Sequence, residues 1–179
     1  MARYQSGQWR GLQNLRFAGS NPARASIRSR RYLSMIDVIQ YSQKYLEPSI
    51  QLFIDVYSDT KGTWSVEKAE EYIVRASTIS PRYCFVAIDG LEYLGSIFAY
   101  LSPNYDSDLL FIDTLQVRLA HRKKGVAKRL LQSVIEIAKS EDIKDVYLWT
   151  DVSKQFPKSW YQSLGFEGTG WSELSLRLN

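Results

Sequence analysis

Between residues 109 and 141 the apolar pattern passes from a strand-like run to a helical period. Leu109 to Val117 (LLFIDTLQV) is a mostly apolar run of strand length, and a short, almost wholly basic stretch follows it. From Gly125 onward, apolar residues stand at Val126, Leu130, Leu131, Val134, Ile135, Ile137 and Ala138. That spacing lays one apolar stripe along a helix. The order is therefore strand, basic glycine loop and helix N-terminus.

Upstream, the pattern predicts a strand over Ile36 to Tyr41 and a helix from near Pro48 to Tyr57, proline being tolerated in a first helical turn. Lys61-Gly62 breaks the chain. Ser65 is placed as the N-cap of a second helix from Val66 to about Ser77, with Lys68 where a capping box would carry Glu or Gln. Ser80-Pro81 stops that helix. Tyr83 to Ile88 and Tyr93 to Leu101 read as an antiparallel pair joined across Asp89-Gly90. Pro103 to Asp108 is a loop, and Asp145 to Thr150 (DVYLWT) is a strand after the long helix. The resulting order, β-α-α-β-β-β-α-β-α-β, is an α/β layered architecture with helices on both faces of a mixed sheet. The crossover through the long helix makes the Leu109 and Asp145 strands parallel and right-handed in connection.

The loop before the long helix carries the first chemical signal. A helix start has unpaired N–H groups and the positive end of the macrodipole, so it attracts anions, and a glycine lets an anion approach the backbone. Arg122, Lys123, Lys124 and Lys128 add positive charge around Gly125, Val126 and Ala127. A phosphate-bearing ligand is expected there. The Walker spacing and the three-glycine dinucleotide fingerprint are both absent.

Arg122-x-x-Gly125-x-Ala127, preceded by a strand ending in Val117, matches Q/R-x-x-G-x-G/A, and by it the chain resembles the GNAT acyl-CoA-dependent N-acetyltransferases. Lys158 to Phe166 (KSWYQSLGF) is similar to that family's closing FYxxxGF element, with Trp160 in the Phe position. Thr63 to Ile73, Tyr83 to Asp89 and Leu91 to Leu101 resemble its second helix and its second and third strands, so the likeness covers roughly residues 35 to 179. It implies a mostly antiparallel sheet of about six or seven strands whose Leu109 and Asp145 strands splay apart to admit pantetheine.

The chemistry so implied is acetyl transfer from acetyl-CoA to an amine by direct attack, without a covalent enzyme intermediate. A proton must leave the amine, the thioester oxyanion must be stabilised, and the departing thiolate must be protonated. By the resemblance, Tyr161 protonates the sulfur, its alternative being a core aromatic beside Trp160. Backbone N–H groups near Leu115 and Val117 bind pantetheine and the thioester oxygen, while Arg122 to Lys128 hold the phosphates. A carboxylate within FIDTLQV makes Asp113 a candidate general base, and Asp151 is a second. Either could instead be a capping or ion-paired residue. The chain departs from the family pattern at Lys154, where many members carry Asn, and at Pro157, where they carry Ala.

Length and composition fit one soluble, cytoplasmic domain over residues 35–179. The chain has 179 residues, 45% of them hydrophobic, with no run near the ~20 residues of a membrane helix. The lone Cys84 sits in an apolar run and reads as a small buried hydrophobe, and the lone His121 as an exposed loop residue. One His and one Cys cannot assemble a metal cluster, so no metal is expected.

Charge separates the chain into two parts. Residues 1–34 hold seven arginines and no acid, so of the formal +4 the remainder keeps 16 basic and 19 acidic residues, a net of −3. Three readings are open for residues 1–34: a disordered basic tail, an organellar transit peptide, and a start codon assigned too far upstream. The third is favoured. GSNPARA (Gly19 to Ala25) back-translates to GGT-TCG-AAC-CC, the T-arm of a transfer-RNA gene, GLQN (Gly11 to Asn14) fits an anticodon arm, and Met35 precedes the first expected strand.

The expected partners are acetyl-CoA and an amine acceptor, with no nucleic acid, no membrane and a homodimer left open. TWSVEKAEEYI resembles a family subgroup that includes aminoglycoside-type acetyltransferases, and a body of net charge −3 suits a cationic acceptor. Protein N-termini, polyamines and amino acids stay open. Two other classes compete: a non-catalytic acyl-CoA-binding sensor of the same fold, and a nucleic-acid-binding protein resting on the basic arm.

Overall fold

A computed structural model of the chain describes residues 36–58, 62–105, 107–151 and 153–170. The leader 1–34, Met35, Lys61 of the expected break, and residues 171–179, where the last expected strand would run, lie outside the described residues. Residues 36–149 form one compact unit, and residues 150–170 belong to a second.

Five strands of the first unit make one sheet in chain order: β1 (Asp37–Gln40), β2 (Phe85–Asp89), β3 (Glu92–Ser102), β4 (Leu109–Val117) and β5 (Asp145–Leu148). The first three junctions are antiparallel and the last, β4 to β5, is parallel. The described residues contribute five strands to the expected mostly antiparallel sheet of about six or seven. β4 begins and ends where the apolar run does, but β5 stops at Leu148, two residues before the expected end.

Helix α1 (Leu46–Tyr57) starts two residues ahead of Pro48, which therefore occupies the first turn, where its missing N–H costs nothing. α2 (Val66–Ile79) is capped by Ser65, whose hydroxyl accepts from the Lys68 N–H at 3.3 Å. α3 (Val126–Ser140) buries Val126, Leu130, Leu131, Val134 and Ala138, the expected stripe, while Ile135 and Ile137 are half-buried at its margin.

The helices cover both faces of the sheet. α1 and α2 pack on each other and on β3 through Ile50, Phe53, Ala69, Ile73, Ala76 and Phe98, with Cys84 buried among them. α3 packs across β2, β3 and β4 from the other side. Side chains alternate along a strand. Phe98 therefore faces α1 and α2, while Ile97, also fully buried, faces the opposite way.

A buried polar network fixes β4 beneath α1. The Gln116 side chain donates to Ser96 Oγ at 2.9 Å and to the Ser49 carbonyl at 3.4 Å, and Ser49 Oγ meets the Tyr93 hydroxyl at 3.0 Å. These bonds specify register, because a slip of one residue would turn Gln116 to the other face and leave its partners unpaired in the core. β4 also carries a bulge: Ile112 pairs with Ala99 and Thr114 with Phe98, so Asp113 is the extra residue.

Candidate active site

β4 is joined to β3 along its whole length, but to β5 only from Leu109 to Ile112. From Asp113 to Val117 its other edge has no strand partner among the described residues. A strand edge offers backbone donors and acceptors at regular intervals. Leu115 and Val117 lie on this open stretch, as the sequence leads one to expect, and it begins at the Asp113 bulge.

The open edge runs into the basic loop. After Val117 the chain makes a single 3-10 turn (Leu119–His121) and bends sharply through two left-handed residues, Lys123 (φ 60°) and Gly125 (φ 86°). Gly125 is the N-cap of α3 and contributes no side-chain hydrogen bond, and no acidic residue stands in the first turn. The N–H groups of that turn, around Val126 and Ala127, have no intrahelical acceptor. Arg122, Lys123, Lys124 and Lys128 are exposed around it, and Arg122 Nε donates to the Val117 carbonyl at 3.2 Å, tying the loop to the end of β4. Nothing lies within 4 Å of where a Cβ on Gly125 would stand, so the turn is open in front of the glycine.

His121 differs from its expected role as an exposed loop residue. Its side chain is 17% exposed and its Nε2 lies 2.8 Å from Glu92 Oε1, a pair that pins the 3-10 turn to the start of β3. The signal for this was lost in sequence because Glu92 is a near neighbour only once β3 lies beside β4.

Asp113 is half-buried on the face of the sheet that α1 and α2 cover. Burial raises its carboxyl above the ordinary aspartate range, against the lowering effects of a Tyr72 hydrogen bond and the Arg75 charge. The Tyr72 hydroxyl is pushed up in turn, first by burial and then by Asp113. Tyr72 itself is held by an aromatic cluster, stacked on Phe53 at 4.7 Å and edge-on to Trp64 at 5.7 Å, with the Arg75 guanidinium 5.1 Å from its ring centre. The Tyr100 hydroxyl is likewise raised, by burial and then by Asp113. Tyr72 falls within the TWSVEKAEEYI stretch, but nothing in that likeness set it apart as a site residue, and Arg75 lies beyond it.

Asp151, the other carboxylate candidate, is exposed and occupied by its own turn. It accepts from the Ser153 N–H at 2.9 Å and the Ser153 hydroxyl at 2.6 Å, and Lys154 Nζ lies 3.5 Å away. Those bonds lower its carboxyl, Ser153 first. In the same unit, α4 (Gln155–Ser163) carries Trp160 and Tyr161, whose rings meet edge-on at 4.9 Å, and Phe166 closes on Tyr161 at 5.6 Å. Burial pushes the Tyr161 hydroxyl up to about 12, so it holds its proton throughout the neutral range.

Among the described residues no group of three or more His, Cys, Asp or Glu is placed to hold a metal, and no helix is long and apolar enough to cross a membrane.

An open strand edge leading to a basic, uncapped helix start suits a thioester with a phosphate-bearing tail, the donor used by acyl-CoA-dependent N-acyltransferases. The family model "Acetyltransferase (GNAT) family" matches residues 50–166, and the chain belongs to that family. N-alpha-acetyltransferase 30 of Schizosaccharomyces pombe is 25% identical over 134 residues, 74% of this chain and 84% of that protein. Human N-acetyltransferase 8 is 35% identical over 133 residues, 69% of this chain, so the chain spans 59% of that relative's length. Among solved structures, the NatC complex bound to Gag peptide and CoA is similar in fold, with a TM-score of 0.62 at 20% identity over 74% of this chain and 84% of that one.

Proposed function

We propose that this chain transfers the acetyl group of acetyl-CoA to a primary amine by direct attack. The observation that carries this reading is the loss of β4–β5 pairing after Ile112 and Leu148, which leaves the Asp113–Val117 edge open and aimed at the α3 N-terminus. Pantetheine fits that edge as a pseudo-strand, bonded to the backbone near Leu115 and Val117. The pyrophosphate fits against Gly125, Val126 and Ala127, with Arg122, Lys123, Lys124 and Lys128 around it.

In the reaction the amine, once neutral, forms its bond to the thioester carbonyl carbon, and the resulting oxyanion is stabilised by backbone N–H groups of the open edge. Collapse breaks the carbon–sulfur bond. Asp113 takes the ammonium's proton before attack and releases it to water. The thiolate takes the Tyr161 proton, and the nitrogen's surplus proton returns through solvent to the Tyr161 phenolate, so the products are the acetamide, free CoA thiol and one proton. Tyr161 is suited to donate because it is fully protonated at neutral pH. Asp113 is suited to accept because burial raises its basicity above that of an ordinary carboxylate.

The decisive experiment is thiol release from acetyl-CoA across a panel of amines, with the acetylated product identified by mass. Amine-dependent release supports the reading. Tight CoA binding with no release from any amine would instead identify a sensor that has lost turnover.

A further inference from the structure

Four aromatic side chains stand on the sheet beside Asp113. The register sets Tyr100 of β3, Phe111 of β4 and Tyr147 of β5 next to one another, and Trp149 lies two residues further along the β5 direction. Tyr100 and Phe111 rings are 5.3 Å apart, and Phe111 and Trp149 rings 6.1 Å. This row lies on the Phe98 face, since Tyr100 follows Phe98 by two residues. Asp113 shares that face, where it hydrogen-bonds to Tyr72 of α2, a ring packed against the Phe98 cluster.

The row is not simply core. Trp149 is 64% exposed, and Tyr100, Phe111 and Tyr147 are only partly buried, whereas Phe98, one step along the same face, is fully buried under the helices. A contiguous, partly wet aromatic surface is costly to leave in water and marks a binding face. It is continuous with the open edge of β4, because Asp113 begins that edge and Phe111 lies two residues before it. Residues two apart on a strand are about 6.6 Å apart. That is close to the span of a Leu or Phe side chain measured from its own α-nitrogen.

We propose that this aromatic row is the acceptor subsite and that the acceptor is a primary amine bearing a bulky apolar group on the adjoining carbon, an inference that rests on the acetyltransferase reading above. The ammonium is drawn to Asp113, two residues from Phe111 where the open edge of β4 begins, which receives its proton; Asp145 shares the face but stands beside Leu109, away from that edge. The apolar group lies on Phe111 and Trp149, where stacking and burial hold it and set the amine toward the β4 edge. Arg75, whose guanidinium stands over Tyr72 and whose charge reaches Asp113, repels an acceptor with a second cation there, so polycationic amines are disfavoured. The same chemistry occurs in a free amine and at the end of a peptide.

The test compares glycinamide, leucinamide and phenylalaninamide, and in a second arm peptides beginning with the same three residues, as acceptors for the full chain with acetyl-CoA. The expected result is a kcat/KM higher for leucyl and phenylalanyl acceptors than for glycyl ones by on the order of 10–100-fold, in whichever arm is the true source. Trp149→Ala should collapse that ratio toward one, and Trp149→Phe should restore much of it. Because Trp149 is mostly exposed, its replacement does not threaten the fold. Equal use of glycyl and apolar acceptors, or a preference that survives Trp149→Ala, overturns the inference while leaving the acetyltransferase reading intact. Thiol release that no amine increases overturns both.

Discussion

Gly95 of β3 and Gln116 of β4 approach so closely that a Cβ on Gly95 would stand 2.4 Å from the Gln116 carbonyl oxygen and 3.1 Å from the Val117 Cα. Both obstacles are backbone, so neither can swing aside. Gly95→Ala must push β3 and β4 apart at the end of the open edge. Overpacking of this kind costs about 1–3 kcal/mol, a fall in melting temperature on the order of 2–10 °C for a chain of this size. Scanning calorimetry should find that drop, and acetyl-CoA affinity should fall with it because Val117 is displaced. An unchanged melting temperature would contradict the β3–β4 register.

The glycine of the basic loop presents the opposite case. Gly125 needs its left-handed φ of 86°, yet a Cβ there would meet nothing within 4 Å. Substitution is costly for conformational reasons alone. Gly125→Asn, which tolerates that region, should leave stability nearly unchanged, whereas the β-branched Gly125→Val should lose about 1–2 kcal/mol. Both add bulk in front of the helix start, so both should weaken acetyl-CoA binding in a calorimetric titration. Parent-like affinity in the Asn variant would remove the pyrophosphate from this turn.

Asp113 gives a pH dependence with a defined sign. Its carboxyl is raised in the folded protein by burial. A base must be deprotonated, so kcat/KM should rise with pH through a step above the ordinary aspartate value, and Asp113→Asn should lower turnover on the order of 10²–10⁴-fold and abolish the step. Stability should run the other way. With the folded pKa above the unfolded one, the contribution of Asp113 is fully present below the unfolded value and is lost as pH rises through the folded one. The melting temperature of Asp113→Asn relative to the parent should therefore climb over that window. A difference independent of pH would mean that Asp113 is not perturbed.

Tyr161 is tested by removing one oxygen. Its ring packs against Trp160 and Phe166, and Tyr161→Phe retains those contacts. Turnover should fall on the order of 10²–10⁴-fold, the range for a positioned acid, with the KM for acetyl-CoA little changed. Since the hydroxyl loses its proton only near 12, the parent should show no loss of rate from this group between pH 7 and pH 9. Parent-like turnover in the Phe variant would assign Tyr161 to packing alone.

Much of the fold was legible in the sequence because it is written in local periods. β4 runs from Leu109 to Val117 as its apolar run does, α3 buries the stripe that its spacing announced, and Ser65 caps α2. The glycine-bent, basic start of α3 was legible too, since a glycine, its flanking cations and the first helical turn are contiguous in the chain. The acceptor half was not. Asp113 meets Tyr72 across 41 positions, and Tyr100, Phe111, Tyr147 and Trp149 share a face only through the pairing of three strands. A one-residue change in register would scatter that row over both faces, and the bulge that turns Asp113 toward α2 depends on two strands differing by one residue. Local sequence therefore determined which elements form and where the basic turn before α3 lies. Which side chains share the proposed acceptor face was decided only when long-range pairing chose among registers that the chain by itself leaves equivalent.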